Sequence, residues 1–228
     1  MTAWGSIFRA LLIGSAVTSF TLVIQKPAPQ WEDTFRPNKA VLASTGRNDY
    51  FILEPGRRLE LAGGDTRLVV TVLNATERVD GVTTRVVEER EWENGKLIEV
   101  SRNFFAIDQK PGDVYYFGED VDMYRDGKVV SHEGAWRSGA KGAKFGLMMP
   151  GKPAVGRAFY QEIAPKVAMD RAKVVSLSQR VKTPEGTFND CLKIEETTPL
   201  EPGVKEYKYY ASGVGLIQDA DLKLVKRG

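Results

Sequence analysis

RLVVTVLNATERVDGVTTRVVEEREWENGKLIEVSRNFFAID, residues 67–108, is the stretch on which the fold turns. β-Branched and aromatic residues alternate with polar ones, and the runs are broken at Asp80-Gly81 and Asn94-Gly95. Asn-Gly supplies the two positive-φ residues of a type I′ turn, whose twist matches that of paired strands. The reading is therefore Arg67–Asn74, Val79–Glu91 and Leu97–Asp108 as successive strands, closed by Pro111-Gly112.

The same grammar continues downstream. Val114–Phe117, a hairpin at Asp126-Gly127, Ala158–Ile163 and a hairpin at Pro184-Glu185-Gly186 come next. Cys191–Thr198, Lys205–Ala211, Gly215–Asp219 and Leu222–Val225 complete the series, and Ala164–Lys173 is the single stretch that suits a helical turn. Short strands joined by turn chemistry predict an all-β fold: an antiparallel up-and-down meander curled into an open or half-closed barrel.

Residues 131–156, SHEGAWRSGAKGAKFGLMMPGKPAVG, interrupt the meander with six glycines and two prolines. A connection of that length inside one domain is functional or disordered as a rule. Trp136, Phe145, Leu147, Met148 and Met149 argue for order, so the segment is expected to be a packed flap over one opening of the sheet.

Upstream, residues 10–24 are uncharged and mostly apolar, flanked by Arg9 and Lys26. That is the length of a signal-peptide core and short of the roughly 20 residues that span a bilayer. The organisation expected is a cleaved signal or a membrane anchor over 1–26, a linker over 27–49 and a β-rich domain over 50–228. Localisation is then periplasmic or extracellular, with membrane association through residues 7–24 if the segment is retained.

Composition narrows the chemistry. Lys+Arg of 32 against Asp+Glu of 30 leaves +2, with no concentrated basic face for nucleic acid. One cysteine, Cys191, forms no internal disulfide, and one histidine, His132, cannot build a His-dependent metal cluster. No serine lies in a nucleophile-elbow sequence, and no cofactor is implied.

Strand alternation supplies candidate site residues, because i and i+2 share a face. Arg102 falls in line with Ile98, Val100, Phe104 and Ala106. Glu119 lines up with Tyr115 and Phe117, and Glu196 with Leu192 and Ile194. Buried charges persist only when paired, so these read as an ion-pair network or as a polar patch orienting a ligand. Lys208 and Tyr209 stand in the dense stretch Lys208–Gly215, which reads as strand, turn and strand. Trp136 in the flap and Glu162 complete the ligand-binding candidates. The carboxylates Glu119, Asp120, Asp122, Glu133, Glu162 and Asp170 also raise Ca²⁺ binding or acid/base work on a saccharide. Their spacing matches no calcium loop, and no metal site is assigned.

The motifs YFILEPG (50–56), VYYFGED (114–120), EGAW (133–136), Met149-Pro150, Gly156, YQE (160–162) and KYYASGVG (208–215) resemble a widespread group of exported bacterial β-proteins without an assigned activity. The last motif is also similar to periplasmic lipoprotein-carrier-like domains, whose open barrels hold hydrophobic cargo. That likeness implies a partly apolar cavity for a hydrophobic small molecule or lipid, although such carriers are smaller and lack the Gly-rich segment. The expected function is an extracytoplasmic binding or carrier module. The alternatives are a carboxylate-dependent enzyme acting on a saccharide and a structural envelope protein whose sheet edge binds a partner. Oligomeric state is not legible.

Overall fold

The first five strands run out and back in sequence order, β1 (Arg58–Gly63), β2 (Thr66–Val79), β3 (Val82–Glu93), β4 (Lys96–Ile107) and β5 (Val114–Arg125), each antiparallel to the next. This computed structural model describes residues 30–228. The turns obey the expected chemistry: Asp80, Asn94 and Asp126 have φ of 48°, 49° and 50°, and the glycine after each is also positive. β6 (Lys128–Ser131), β7 (Trp136–Arg137) and β8 (Lys144–Met149) all pair with β5. β9 (Ala158–Tyr160) and β10 (Glu162–Ile163) follow. β11 (Arg171–Thr183), β12 (Gly186–Thr197), β13 (Glu206–Ala211), β14 (Gly215–Asp219) and β15 (Leu222–Arg227) form the second meander.

The two meanders join where β15 pairs with β1, giving the order β10-β8-β5-β4-β3-β2-β1-β15-β14-β13-β12-β11-β9. β9 hydrogen-bonds β11 and β10 hydrogen-bonds β8, while β9 and β10 are consecutive in the chain with Gln161 between them. The result is an all-β barrel, closed except for one seam that Gln161 crosses.

Two apolar clusters fill it. The larger includes Leu53, Val72, Val87, Phe105, Tyr116 and Ile194. The smaller, with Leu61, Cys191, Ile217 and Leu224, packs where the β11–β12 hairpin, broken by three bulges, reaches β15 through Glu185 N–H to Leu224 O at 3.2 Å.

Several expectations need correction. The 131–156 segment is ordered, but its strands are wall, hydrogen-bonded to β5, and not a lid laid over an opening. Gly118 on β5 and Gly146 within the segment allow this close pairing. A Cβ on Gly118 would lie 2.5 Å from Trp136 O, and one on Gly146 would lie 2.4 Å from Gln161 O. Ala164–Ala168 is a tight turn closed by Ala168 N–H to Ala164 O, not a helix, and Arg171 already starts β11. From Trp31 onward the stretch read as linker lies on the barrel: Ala43 and Ile107 exchange both backbone hydrogen bonds at 2.9 Å. Residues 1–26, expected to be a cleaved signal or a membrane anchor, lie outside the described residues. Among the described residues no helix is long and apolar enough to cross a membrane.

Candidate functional site

Residues paired in register share a face, so the lumen can be traced strand by strand. Glu89 on β3 and Lys208 on β13 line the same pocket. Val70 and Ser101 are opposite Glu89, and Ile194 is opposite Lys208. The lumen face therefore carries Val87, Glu89, Glu91, Glu99, Ser101 and Asn103 from β3 and β4, with Ile194, Glu196, Lys208 and Tyr210 from across the barrel.

Arg102 is on the other face. Its guanidinium meets Asp122 at 3.0 Å and Glu88 at 3.6 Å, and 37% of its side chain is exposed. The apolar residues in line with it are buried for a different reason: Phe104 lies outside the lumen under the Arg137 guanidinium, 4.2 Å from its ring centroid. Tyr209 likewise points away from Lys208 and Tyr210, and the Lys193 ammonium stands 5.4 Å from its ring. Neither belongs to the interior network.

The other candidates converge. Lys208 Nζ reaches Glu196 at 2.9 Å and Asp219 at 3.6 Å. Burial alone would drive this ammonium down, but the two carboxylates outweigh it and hold Lys208 well above its ordinary range. Gln161 Nε2 donates to Glu196 Oε1 at 2.9 Å. Glu162, 3% exposed, accepts the Asp170 backbone N–H at 2.8 Å. Burial, with Asp170, Glu119 and Glu196 nearby, pushes Glu162 well above the usual carboxyl range.

Burial also raises Glu119 to about 7. The Tyr116 hydroxyl donates to Asn103 Oδ1, and Asn103 Nδ2 donates to Ser101 Oγ at 3.1 Å. Trp136 is directly opposite Glu119 in register and sets its ring edge-on to Tyr116 with centroids 5.2 Å apart. It is 6% exposed, and its indole N–H finds no acceptor.

Sequence reading missed Glu89 and Asp219. Glu89 rises to about 7, chiefly through burial, and Asp219 rises for the same reason. The run Glu88-Glu89-Arg90-Glu91 offers no alternation that separates inner from outer carboxylates. Only the pairing with Val70 and Ser101 does.

Two spaces adjoin this network. One, of ≈ 80 Å³, is lined by Tyr50, Phe51, Leu59 and Val70 with Glu89 and Lys208 at its polar side. The other is an open cleft of ≈ 390 Å³ with Glu119, Asp170 and Glu196 in its walls, bordered by Val167, Leu200 and Val204. Those three apolar side chains are 47%, 43% and 48% exposed, and no lysine or arginine lines the cleft. Among the described residues no group of three or more His, Cys, Asp or Glu is arranged to hold a metal ion.

No protein-family model, curated protein or solved structure matches the chain. The geometry defines a class by itself: a nearly closed antiparallel barrel, consistent with a carrier-like fold, with a carboxyl-rich lumen.

Proposed function

We propose that the chain is an extracytoplasmic binding module whose ligand occupies the acidic cleft. It presents a cationic or hydrogen-bond-donating group to Glu119, Asp170 and Glu196, and an apolar part to Val167, Leu200 and Val204. The observation that carries this reading is the cleft itself: ≈ 390 Å³, carboxyl walls, exposed apolar border and no basic residue. Its volume falls within the roughly 300–1,000 Å³ of small-molecule sites. The space of ≈ 80 Å³ beside Glu89 and Lys208 falls far below it, which argues against a lipid chain held in the lumen.

Calorimetry with hexylammonium and hexanoate tests the reading. Saturable binding of the ammonium, weakened at least tenfold in Glu119→Gln, with no binding of hexanoate, supports it. Equal binding of both probes, or of neither, overturns it. Affinity should also rise as pH increases from 6 to 8, because a cation displaces the Glu119 proton.

Acid/base action on a saccharide is a second reading, favoured by one observation. A carboxyl titrating at about 7 in an open cleft suits a general acid. Release of reducing ends from an oligosaccharide panel, abolished in Glu119→Gln, would replace the binding reading. A structural envelope role has less support, because β1–β15 pairing consumes the edges that an open meander would present.

A further inference from the structure

Asp170 lines the acidic cleft, and the next residue, Arg171, lines a second open cleft of ≈ 520 Å³. Arg171 is opposite Tyr160 on β9 and Thr197 on β12, on the face of the sheet away from Glu196 and Lys208. Its guanidinium stands 4.5 Å from the Trp31 ring centroid and 5.9 Å from that of Tyr160. Glu32 ties this outer layer to the strap that crosses the seam, Ala158–Ile163, through Tyr160 N–H to Glu32 O at 2.9 Å. The Glu32 carboxylate itself is taken by Arg157 at 3.1 Å.

Arg171 has no such partner. Among the described residues, every other arginine that is buried or half-buried meets a carboxylate or a carbonyl. The buried Nε of Arg171 finds no acceptor, and the buried Oγ1 of Thr197, opposite it, is unpartnered too. Buried polar atoms are paired as a rule, so two side by side leave hydrogen-bonding capacity unspent. Lys173, on the same face, is also without an ion pair among the described residues. Its register partner Glu195 instead accepts the Tyr207 hydroxyl at 3.1 Å and lies 3.5 Å from Lys205 Nζ. Arg171, Lys173 and Lys205 against Glu195 leave the cleft a surplus of two positive charges. A phosphoryl monoester carries roughly −1.5 to −2 at pH 7 and matches that surplus, whereas a single carboxylate does not.

We propose that this cleft is a phosphoryl-binding site. Guanidinium donors lie in the plane of the group, so aromatic rings against it leave them available for a bidentate contact with two phosphoryl oxygens. Lys173 adds a point charge, with the Thr197 hydroxyl in the same wall. The organic part of an ester rests against Pro199 and Pro202, which are exposed in the cleft. Binding is reversible, and no covalent bond is made or broken. The site shares Thr197 and Thr198 with the acidic cleft but none of its carboxyl groups, and it stands whether or not that cleft takes a cation.

Calorimetry of the full chain in phosphate-free buffer at pH 8, with phenyl phosphate, inorganic phosphate and benzoate, tests it. Phenyl phosphate should bind saturably, and benzoate at least tenfold more weakly. Tighter binding of phenyl phosphate than of inorganic phosphate assigns the site to an ester. Inorganic phosphate binding as tightly or more so assigns it to the free anion, and both results support a phosphoryl site. Arg171→Gln should weaken phenyl phosphate at least tenfold, and Arg171→Lys should not restore it, because an ammonium makes no bidentate contact. Glu119→Gln, in the acidic cleft, should leave that affinity unchanged. No binding of phenyl phosphate, benzoate binding as tightly, affinity retained in Arg171→Gln, or an equal loss in Glu119→Gln overturns the site. If the Arg171 variants fail to fold, Lys173→Gln decides, and unchanged affinity there overturns it as well.

Discussion

Arg85 and Arg102 lie on adjacent strands in opposite surroundings. Arg85 is 6% exposed and meets no carboxylate; it donates to Ser44 O at 2.9 Å, to Thr45 Oγ1 at 2.6 Å and to the Leu73 and Ala75 carbonyls where β2 bulges. Arg85→Met should cost about 2–3 kcal/mol in urea denaturation, because the carbonyls lose a charged donor. Arg102 is part-exposed, and Arg102→Ala should cost less than about 1 kcal/mol by the same measurement. Lys208→Met should cost about 3–5 kcal/mol, since Glu196 and Asp219 would be left facing each other. The sequence contains the reason Arg102 misleads only in part. Val100, Phe104 and Ala106 in line with it are truly buried, but Phe104 is covered by chain arriving from elsewhere, the Arg137 guanidinium over its ring. A strand covered on both sides erases the alternation that tells inside from outside.

The elements that were legible are those made locally. Asp80-Gly81, Asn94-Gly95 and Asp126-Gly127 each form the hairpin their dipeptide encodes, because the turn's positive φ angles are a property of those residues alone. β7 and β8 were not legible, since a two-residue strand and a Gly-rich wall are defined by the partner they meet. Trp136 belongs to that wall. Trp136→Ala should therefore cost about 3–5 kcal/mol in thermal or urea unfolding, the range of other buried tryptophan truncations. Hexylammonium affinity, corrected for unfolded protein, should stay unchanged. Gly146→Ala should disturb the strap specifically, because the added methyl meets the Tyr160–Gln161 backbone, which cannot give way as a side chain does. Faster hydrogen exchange of 158–170 with a retained β3–β4 hairpin is the expected result.

For the molecule as a whole, the raised carboxyl groups set the direction of its pH response. Glu89 and Glu119 move up to about 7, and Glu162, Asp170 and Asp219 also rise. The folded state therefore holds more protons than the unfolded one above the unfolded carboxyl value of about 4.5, and stability falls as pH climbs from there through 7. Glu60 and Asp80, which are lowered by Arg67 and by Lys39 with Ser138, act oppositely and lose their contribution at acid pH. The unfolding temperature should peak near about pH 5 and drop by pH 8, with a smaller drop in Glu89→Gln. A profile flat from pH 5 to 8 would contradict the interior placement of these groups.

The pairing of β1 with β15 also has a consequence in time. Chains are made from the amino end, so β1 through β14 leave the ribosome while the partner for one side of β1 does not yet exist. That edge, Arg58–Gly63, waits with its N–H and C=O groups unmatched until Leu222–Arg227 arrives and slides between β1 and β14. Ribosome-arrested chains stopped before residue 222 should thus be readily cleaved by protease across both halves, and those released with β15 in place should resist it.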